Sequence, residues 1–251
     1  MSETQRAVLE GHVAILAALE CGSRDIEVIY LDRTQRDRRG HLARLALRAA
    51  DLGVRAERVA PEMIDALASG QTHGGAIALV GPRRYVSLGD LLRPEGAPFI
   101  AMIDGVEDPF NFGGAVRALY AAGADGLVVR PRNWMSAAGI VGRASAGASE
   151  RIPTAVAETA LDAAQYFRAR GLTVATAARD RRAVPLYQAD LRGPLFLLIG
   201  GEKRGITRSF LDKADLILEI PYGRRFGQSL GTTAATAVLA FEVMRQRGIA
   251  R

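Results

Sequence analysis

Residues 195–206, LFLLIGGEKRGI, carry the clearest indication of the fold. A short apolar run that ends in two glycines is typical of a strand buried on both faces of a parallel sheet. Four further strand candidates of this kind are 99–103, 126–129, 172–176 and 216–220. The helices expected between and after these strands are 113–122, 136–147, 158–170, 207–214 and 232–247. Alternation of strand and helix predicts an α/β domain whose parallel sheet is covered by helices on both faces.

The first 80 residues have the pattern of a separate, smaller α/β unit. Apolar residues recur at helical spacing in 13–19 and 42–52, and 26–31 and 76–80 are strand candidates. Residues 81–98 contain three prolines and three glycines, which is typical of a linker. We therefore predict a small domain over 1–82, a linker over 83–97 and the parallel-sheet domain over 98–251.

Composition excludes several classes of protein. No stretch approaches the roughly 20 apolar residues that cross a bilayer, and the first ten residues carry three charges in place of a signal sequence. The single cysteine, Cys21, excludes an intramolecular disulfide and a CxxC zinc site. Only three histidines are present, so we expect no metal. These features predict a cytoplasmic protein that is not bound to a membrane.

The charge distribution favours a polyanionic partner. Net charge is +6, and the excess lies in residues 99–251, which hold 20 basic and 14 acidic side chains. Arginine supplies all but two of the 33 basic residues, and its fork suits phosphate, although G+C-rich coding sequence also raises arginine content. A local basic run in the first domain contains the candidate RNA contacts Arg36, Arg38 and Arg39. The alternative is a solvated surface.

The loops that follow three of the strands should carry the chemistry, because ligands of parallel sheets bind where loops leave the carboxyl ends of strands. The first loop runs over 104–117, DGVEDPFNFGGAVR. There Pro109 fixes a turn and Asn111 can cap a helix that starts near Phe112. The second loop contains Glu202 between glycines. It is neither a dinucleotide GxGxxG nor a phosphate-binding P-loop.

The third loop, 220–233, has the sequence IPYGRRFGQSLGTT. Arg224 and Arg225 lie between glycines just before a helix start, which suits a phosphate. Taken singly, the three loops could be a capped helix, a glycine-rich turn and a flexible surface loop. Their order and spacing together are much more specific.

The three loops resemble the signature motifs of the SpoU (TrmH-like) branch of the SPOUT RNA methyltransferases. The first motif corresponds to DPFNFGGAVR at 108–117, the second to GGEKRGI at 200–206, and the third to Ile220-Pro221 followed by Ser229-Leu230. The resemblance covers about residues 98–247. Residues 1–80 are similar, less specifically, to a ribosomal-protein-like RNA-binding domain, including Thr72-His73-Gly74-Gly75.

The resemblance implies a fold and an activity. The fold would be a parallel-sheet domain with a deep trefoil knot, assembled as a homodimer whose site lies near the dimer interface. The activity would be transfer of a methyl group from S-adenosylmethionine (AdoMet) to a ribose 2′-hydroxyl of rRNA or tRNA. AdoMet would contact Gly200, Ile220 and Leu230, largely through the backbone. The implied catalytic group is Asn111, Arg117, Glu202 and Ser229.

One departure from the family pattern keeps a second interpretation open. Gly231 stands where the family commonly has asparagine, and the inserted Arg224-Arg225-Phe226 lengthens the loop. Loss of that amide would cost about 1–3 kcal/mol, roughly a factor of 5 to 150 in rate. The alternative is therefore a catalytically weak or inactive RNA-binding protein of the same fold. A Rossmann oxidoreductase is disfavoured because the glycine fingerprint and its acidic partner are missing.

Overall fold

The structure, a computed structural model, describes residues 6–70, 72–93, 95–131, 137–201 and 205–248. These residues form two compact units: 6–84 together with 137–151, and 85–131 together with 152–248. The boundaries 1–82, 83–97 and 98–251 stay a prediction. The observed units depart from them chiefly in the stretch 137–151, which belongs to the first unit.

Strands and helices alternate through most of the described chain. The strands are β1 Ala7–Glu10, β2 Ile26–Asp32, β3 Ala56–Val59, β4 Ala76–Val80, β5 Phe99–Asp104, β6 Gly126–Val129, β7 Thr154–Val156, β8 Thr173–Ala177, β9 Val184–Pro185, β10 Leu195–Gly200 and β11 Leu216–Glu219. The helices are α1 His12–Cys21, α2 His41–Asp51, α3 Pro61–Leu67, α4 Pro109–Ala121, α5 Ala138–Ala144, α6 Ala148–Arg151, α7 Ala160–Arg168, α8 Arg208–Leu211 and α9 Thr232–Arg247. None of these helices is both long enough and apolar enough to cross a membrane.

The first unit is built on a four-stranded sheet in the order β1-β4-β2-β3. Strands β2 and β3 are parallel, and the other pairs are antiparallel. Its core contains fully buried Leu9, Ile15, Ile29 and Leu45. Both α5 and α6 belong to this unit, and α5 packs against β1 while α6 packs against α1.

Buried ion pairs hold α5 and α6 in the first unit. Arg143 of α5 lies 3.2 Å from the buried carboxylate of Glu10. On α6, the Glu150 carboxylate accepts hydrogen bonds from Ser23 at 2.6 Å, Arg24 at 3.0 Å and Arg83 at 3.1 Å. Burial would raise the pKa of Glu150, but the charges of Arg24 and Arg83 and the Ser23 hydroxyl hold it below its ordinary value.

Helix α5 ends at Ala144 and α6 begins only at Ala148, so α5 alone corresponds to the single helix expected over 136–147. Its first residue, Ser136, lies outside the described residues. The helix breaks at Ala146 and Gly147, which both adopt positive φ, 49° and 80°. A Cβ at Gly147 would come within 3.0 Å of the Val13 carbonyl oxygen, so α1 packs closely where the chain turns.

The second unit is a seven-stranded sheet in the order β7-β6-β5-β10-β8-β11-β9, with every neighbouring pair parallel. The central strand β10 is buried along its length except at Gly200. Phe196 of β10 stacks on Phe167 of α7 with ring centroids 5.0 Å apart. The prediction of a parallel α/β sheet is confirmed. The trefoil knot stays a prediction.

Two details of the second unit differ from the sequence expectation. Helix α4 begins at Pro109 and not near Phe112, because Asp108 is the N-cap and its carboxylate accepts from the Phe110 N–H at 2.8 Å. An aspartate followed by proline is a stronger helix start than Asn111, which lies inside the first turn. Most of the predicted linker also belongs to the sheet unit: Val86 bridges to Ala155 of the edge strand β7.

Candidate functional site

The first and second motif loops meet through their backbones. Strands β5 and β10 pair with Gly200 opposite Asp104, so the loops that follow them start side by side. The Gly201 N–H donates to the Asp104 carbonyl at 2.7 Å. A Cβ at Gly201 would overlap the Gly105 carbonyl group, so only glycine permits this contact.

A cavity of about 320 Å³ lies at the carboxyl edge of the sheet, where β10, β8 and β11 end. The three residues predicted to contact a cofactor, Gly200, Ile220 and Leu230, all line it, and so does Ser229. Helix α9 supplies one wall through Ala235 and Leu239. Residues that are distant in the sequence therefore surround one space.

The turn after β8 also lines the cavity, which no motif of the sequence indicates. Ala177, Ala178 and Arg179 contribute to the lining. The Arg179 guanidinium donates to the carbonyls of residues 226, 227 and 228, at 3.1, 3.0 and 2.9 Å. The sequence does contain one indication of this position: Arg179 follows a predicted strand, and the carboxyl ends of parallel strands meet at one edge of the sheet.

Asn111 lies beside the start of α9. Its backbone carbonyl accepts a hydrogen bond from the Thr233 hydroxyl at 3.1 Å. A Cβ at Gly114 would come within 2.9 Å of the Thr233 side chain, so this glycine lets α4 and α9 approach closely. Since α9 begins two residues after Leu230, Asn111 is brought close to the third motif loop.

Arg117 is not among the residues that line the cavity. It is exposed on α4, and it forms no ion pair or hydrogen bond with another side chain in the described part of the chain. It lies six residues beyond Asn111, about 9 Å along the helix axis. Glu202, the remaining predicted catalytic residue, lies outside the described residues.

Gly231 is the N-cap of α9, with φ −60° and ψ 152°. These angles are open to any residue, and no side chain caps the helix. The backbone therefore does not require glycine at this position. An asparagine would fit the geometry and could cap the helix.

The predicted RNA contacts lie in two exposed loops. Arg224 and Arg225 are exposed in the loop between β11 and α9. Arg36, Arg38 and Arg39 are exposed in the loop between β2 and α2, which we call the β2–α2 loop. Within it, the Asp37 carboxylate accepts from the Ala43 N–H at 2.8 Å and caps α2, which lowers the pKa of Asp37. These arginines form no ion pair with a described acidic side chain.

Metal ligation has no evident place in the described ranges, where no group of three or more His, Cys, Asp or Glu side chains is positioned to hold an ion. The cavity, in contrast, has the size and lining of a small-molecule site. Its walls combine apolar side chains with the backbone of three loops. This lining suits a ligand with one flat apolar part and several hydrogen-bonding groups.

Comparison with known proteins identifies two matching family models. The SpoU rRNA Methylase family matches residues 98–241, and the RNA 2′-O ribose methyltransferase substrate-binding family matches residues 8–86. Both agree with the resemblance found in the motifs.

Similar proteins cover nearly the whole chain. A 23S rRNA (guanosine-2′-O-)-methyltransferase RlmB from Ralstonia nicotianae is 31% identical over 96% of this chain and 96% of its own. The RlmB of Pseudomonas putida is 30% identical over the full length of both. An AdoMet-bound rRNA methyltransferase structure from Sinorhizobium meliloti has a TM-score of 0.79 at 24% identity, over 97% of this chain and 88% of its own. At 24% identity, the similarity to this last structure shows a shared fold only.

Proposed function

Because the chain belongs to the SpoU rRNA methylase family, we propose that it transfers the methyl group of AdoMet to a ribose 2′-hydroxyl of large-subunit ribosomal RNA. The chain is an RNA methyltransferase, and AdoMet is its cofactor. The observation that carries the proposal is the cavity at the sheet edge, which gathers Gly200, Ile220, Ser229 and Leu230 from two motif loops. The relatives named above act on guanosine of 23S rRNA, and we propose the same substrate class here.

The residues around the cavity fit AdoMet. Ligand pockets for molecules of this size enclose about 300–1,000 Å³, and this cavity falls in that range. A Cβ at Gly200 would come within 2.8 Å of Ile206, so the strand end is packed tightly and presents backbone to the cavity. Ile220 and Leu239 supply apolar surface for an adenine ring. When bound, AdoMet supplies a methyl group already activated on a sulfonium.

The protein's own contribution is positioning and charge stabilisation, because the methyl group needs no further activation. As negative charge develops on the 2′-oxygen, the Arg117 guanidinium stabilises it and holds the adjacent phosphate. A guanidinium offers five N–H donors and no acceptor, so this role suits Arg117 better than that of a general base. Glu202 would orient Arg117 or help to relay the 2′-hydroxyl proton, and Asn111 and Ser229 would hydrogen-bond the ribose or Arg117.

We further propose that two copies of the chain form the working enzyme. Arg117 does not line the cavity of a single chain, and in this proposal a second copy supplies the surface that completes the site. Exposed aromatic side chains on α4 and α9, Phe110, Tyr120 and Phe241, support pairing through these helices. We also propose that the C-terminal sheet domain contains a trefoil knot. In this proposal the enzyme works in the cytoplasm, where ribosomes assemble.

RNA binding is divided between the two units in this proposal. The β2–α2 loop of the substrate-binding domain contacts phosphates, and Arg224 and Arg225 contact RNA beside the cofactor. The alternative, a catalytically weak RNA-binding protein, rests on Gly231 alone. The comparisons give it no support, since the relatives named above are methyltransferases.

Methyl transfer to transcribed 23S rRNA, measured with isotope-labelled AdoMet, tests the proposal. We expect incorporation that appears as a 2′-O-methylated nucleoside after digestion. Arg117→Ala should lower kcat by about 10²–10³, the usual effect of removing a group that stabilises developing charge. Its AdoMet Kd should stay within about twofold. The control is Arg181→Ala, which removes an exposed arginine that does not line the cavity. Undiminished turnover of Arg117→Ala would remove its assigned role.

A further inference from the structure

The turn that follows β8 carries Arg179, whose side chain forms hydrogen bonds with the third motif loop. Arg179 lies two residues beyond Ala177, the last residue of β8. Its Nη1 donates to the Gly227 carbonyl at 3.0 Å, and its Nη2 donates to the carbonyls of Phe226 and Gln228. One guanidinium thus joins three consecutive peptide groups of the loop between β11 and α9. Such a contact fixes the local backbone, because all three carbonyls must face one point.

A second contact extends this hold to Leu230. The Arg179 guanidinium lies 5.6 Å from the ring centroid of Tyr222, within cation–π range. The hydroxyl of Tyr222 accepts the N–H of Leu230 at 3.0 Å. Tyr222, Leu230 and Arg179 all line the cavity. The loop is therefore held at its start, its middle and its end by one connected group of side chains.

The turn that carries Arg179 is itself anchored. The next residue, Asp180, has a side chain only 7% exposed, and it accepts from Arg182 and from Arg208 of α8, each at 3.1 Å. Helix α8 follows directly on the second motif loop. The turn 178–182 therefore contacts both the third motif loop and the helix that follows the second motif loop, and Arg179 extends from a fixed base.

We infer that Arg179 is a positioning residue that holds the loop 222–231 in its cofactor-binding shape. The inference rests on the proposed function, since AdoMet is the ligand that the loop would contact. Three glycines, Gly223, Gly227 and Gly231, leave this loop little stiffness of its own. An arginine fork suits the task because its donors are planar and pre-oriented, whereas a lysine offers a flexible point charge.

Without the Arg179 side chain, the three carbonyls would return to water and the loop would sample other shapes. AdoMet would then bind only the fraction of molecules whose loop is already ordered, which raises the apparent Kd by the inverse of that fraction. We expect Arg179→Ala to raise the AdoMet Kd about tenfold or more. Arg179→Lys should restore part of the affinity.

Two measurements on the full-length protein test the inference. Amide hydrogen exchange without cofactor reports the order of residues 226–231, including the Leu230 N–H, and calorimetric titration reports the AdoMet Kd. We expect Arg179→Ala to speed exchange in this segment and to weaken binding, while exchange in β10 stays unchanged. The matched control is Arg181→Ala, which removes an exposed arginine from the same turn and should alter neither measurement.

The outcomes separate the inference from the proposed function. Unchanged exchange in Arg179→Ala would overturn the inference, and so would faster exchange with an unchanged AdoMet Kd. In both cases the wild-type protein still binds AdoMet and the proposed function stands. Absence of AdoMet binding by the wild-type protein would instead refute the proposed function, whereas the exchange data would still show whether Arg179 orders the loop.

Discussion

Replacing Gly201 by alanine tests the backbone contact between the first two motif loops. A Cβ at this position would come within 1.9 Å of the Gly105 carbonyl oxygen, whereas ordinary van der Waals contact begins at 3.4 Å. The two backbones would have to separate by about 1.5 Å if no other group moved. The hydrogen bond from the Gly201 N–H to Asp104, now 2.7 Å, would then break.

The cost follows from these changes. Overpacking of a tight contact costs about 1–3 kcal/mol, and the broken hydrogen bond adds about 1 kcal/mol, so about 3 kcal/mol is expected. At about 2–4 °C per kcal/mol for a protein of this size, the Tm should fall by roughly 6–12 °C. Turnover should fall by about 10²-fold, because a displacement of about 1 Å at a site of this kind has that effect.

Thermal unfolding followed by circular dichroism and methyl transfer below the lowered Tm measure the two effects. Gly223→Ala is the matched control: it lies in the third motif loop, and a Cβ there meets nothing within 4 Å. We expect its Tm to stay within about 2 °C of the wild type, as is usual for exposed substitutions of about 0.5 kcal/mol or less. If Gly201→Ala had the same Tm and the same turnover as the wild type, the two loops would not approach each other as closely as described.

Three further predictions concern other parts of the chain. Glu150→Gln should lower stability at pH 7 by about 3 kcal/mol, because it leaves the buried Arg24 and the partly buried Arg83 without their carboxylate. Since the folded-state pKa of Glu150 lies below its ordinary 4.5, the wild-type advantage is complete above pH 4.5 and disappears as pH falls through the folded-state pKa. Melting curves should therefore show a stability gap between the two proteins that is complete at about pH 7 and narrows as the pH falls below 4.5, and a constant gap would contradict the assignment. Changing the three arginines of the β2–α2 loop to glutamate should weaken RNA binding and flatten its dependence on salt, by about one unit of log–log slope for each phosphate that the loop ceases to bind. The control is Arg55→Glu, at the opposite end of the parallel β2–β3 pair. If the triple variant and the wild type showed equal salt slopes, the loop would not be an RNA-binding element. Gly231→Asn should raise kcat about fivefold or more and stability by a few tenths of a kcal/mol, whereas unchanged turnover would show that the amide is dispensable here.

The parallel sheet could be predicted from the sequence because its strands are short apolar runs that end in polar or glycine residues. Predicted and observed bounds agree within one residue, as for 172–176 against Thr173–Ala177. Strands β7 and β9 were missed, since three and two residues are too few to show a pattern. The break between α5 and α6 was also missed, because Ala146 gives no sign that it adopts a positive φ.

That the motif loops meet at one site could be predicted for the same reason. The residues from other parts of the chain that contact these loops could not be predicted. Gly200, Ile220, Ser229 and Leu230 follow strands that the sequence shows, so their convergence at one edge is expected. Arg179 lies 47 residues before Phe226, and no local pattern connects the two. Their contact depends on strand order, which places β8 beside β11. Strand order is set by packing across the whole domain and not by local periodicity.

Strand order also explains why a change at Gly231 need not abolish activity. The neighbouring strands β5, β10, β8 and β11 end along one continuous edge, so all three motif loops and the turn after β8 lie at that edge. The contacts that shape the cavity are made to backbone groups: the Gly201 N–H donates to the Asp104 carbonyl, and the Arg179 guanidinium donates to three loop carbonyls. A missing side-chain amide leaves these contacts intact, because the φ and ψ of Gly231 suit asparagine as well as glycine. The binding site should therefore tolerate changes at residue 231 far better than at Gly201 or Arg179.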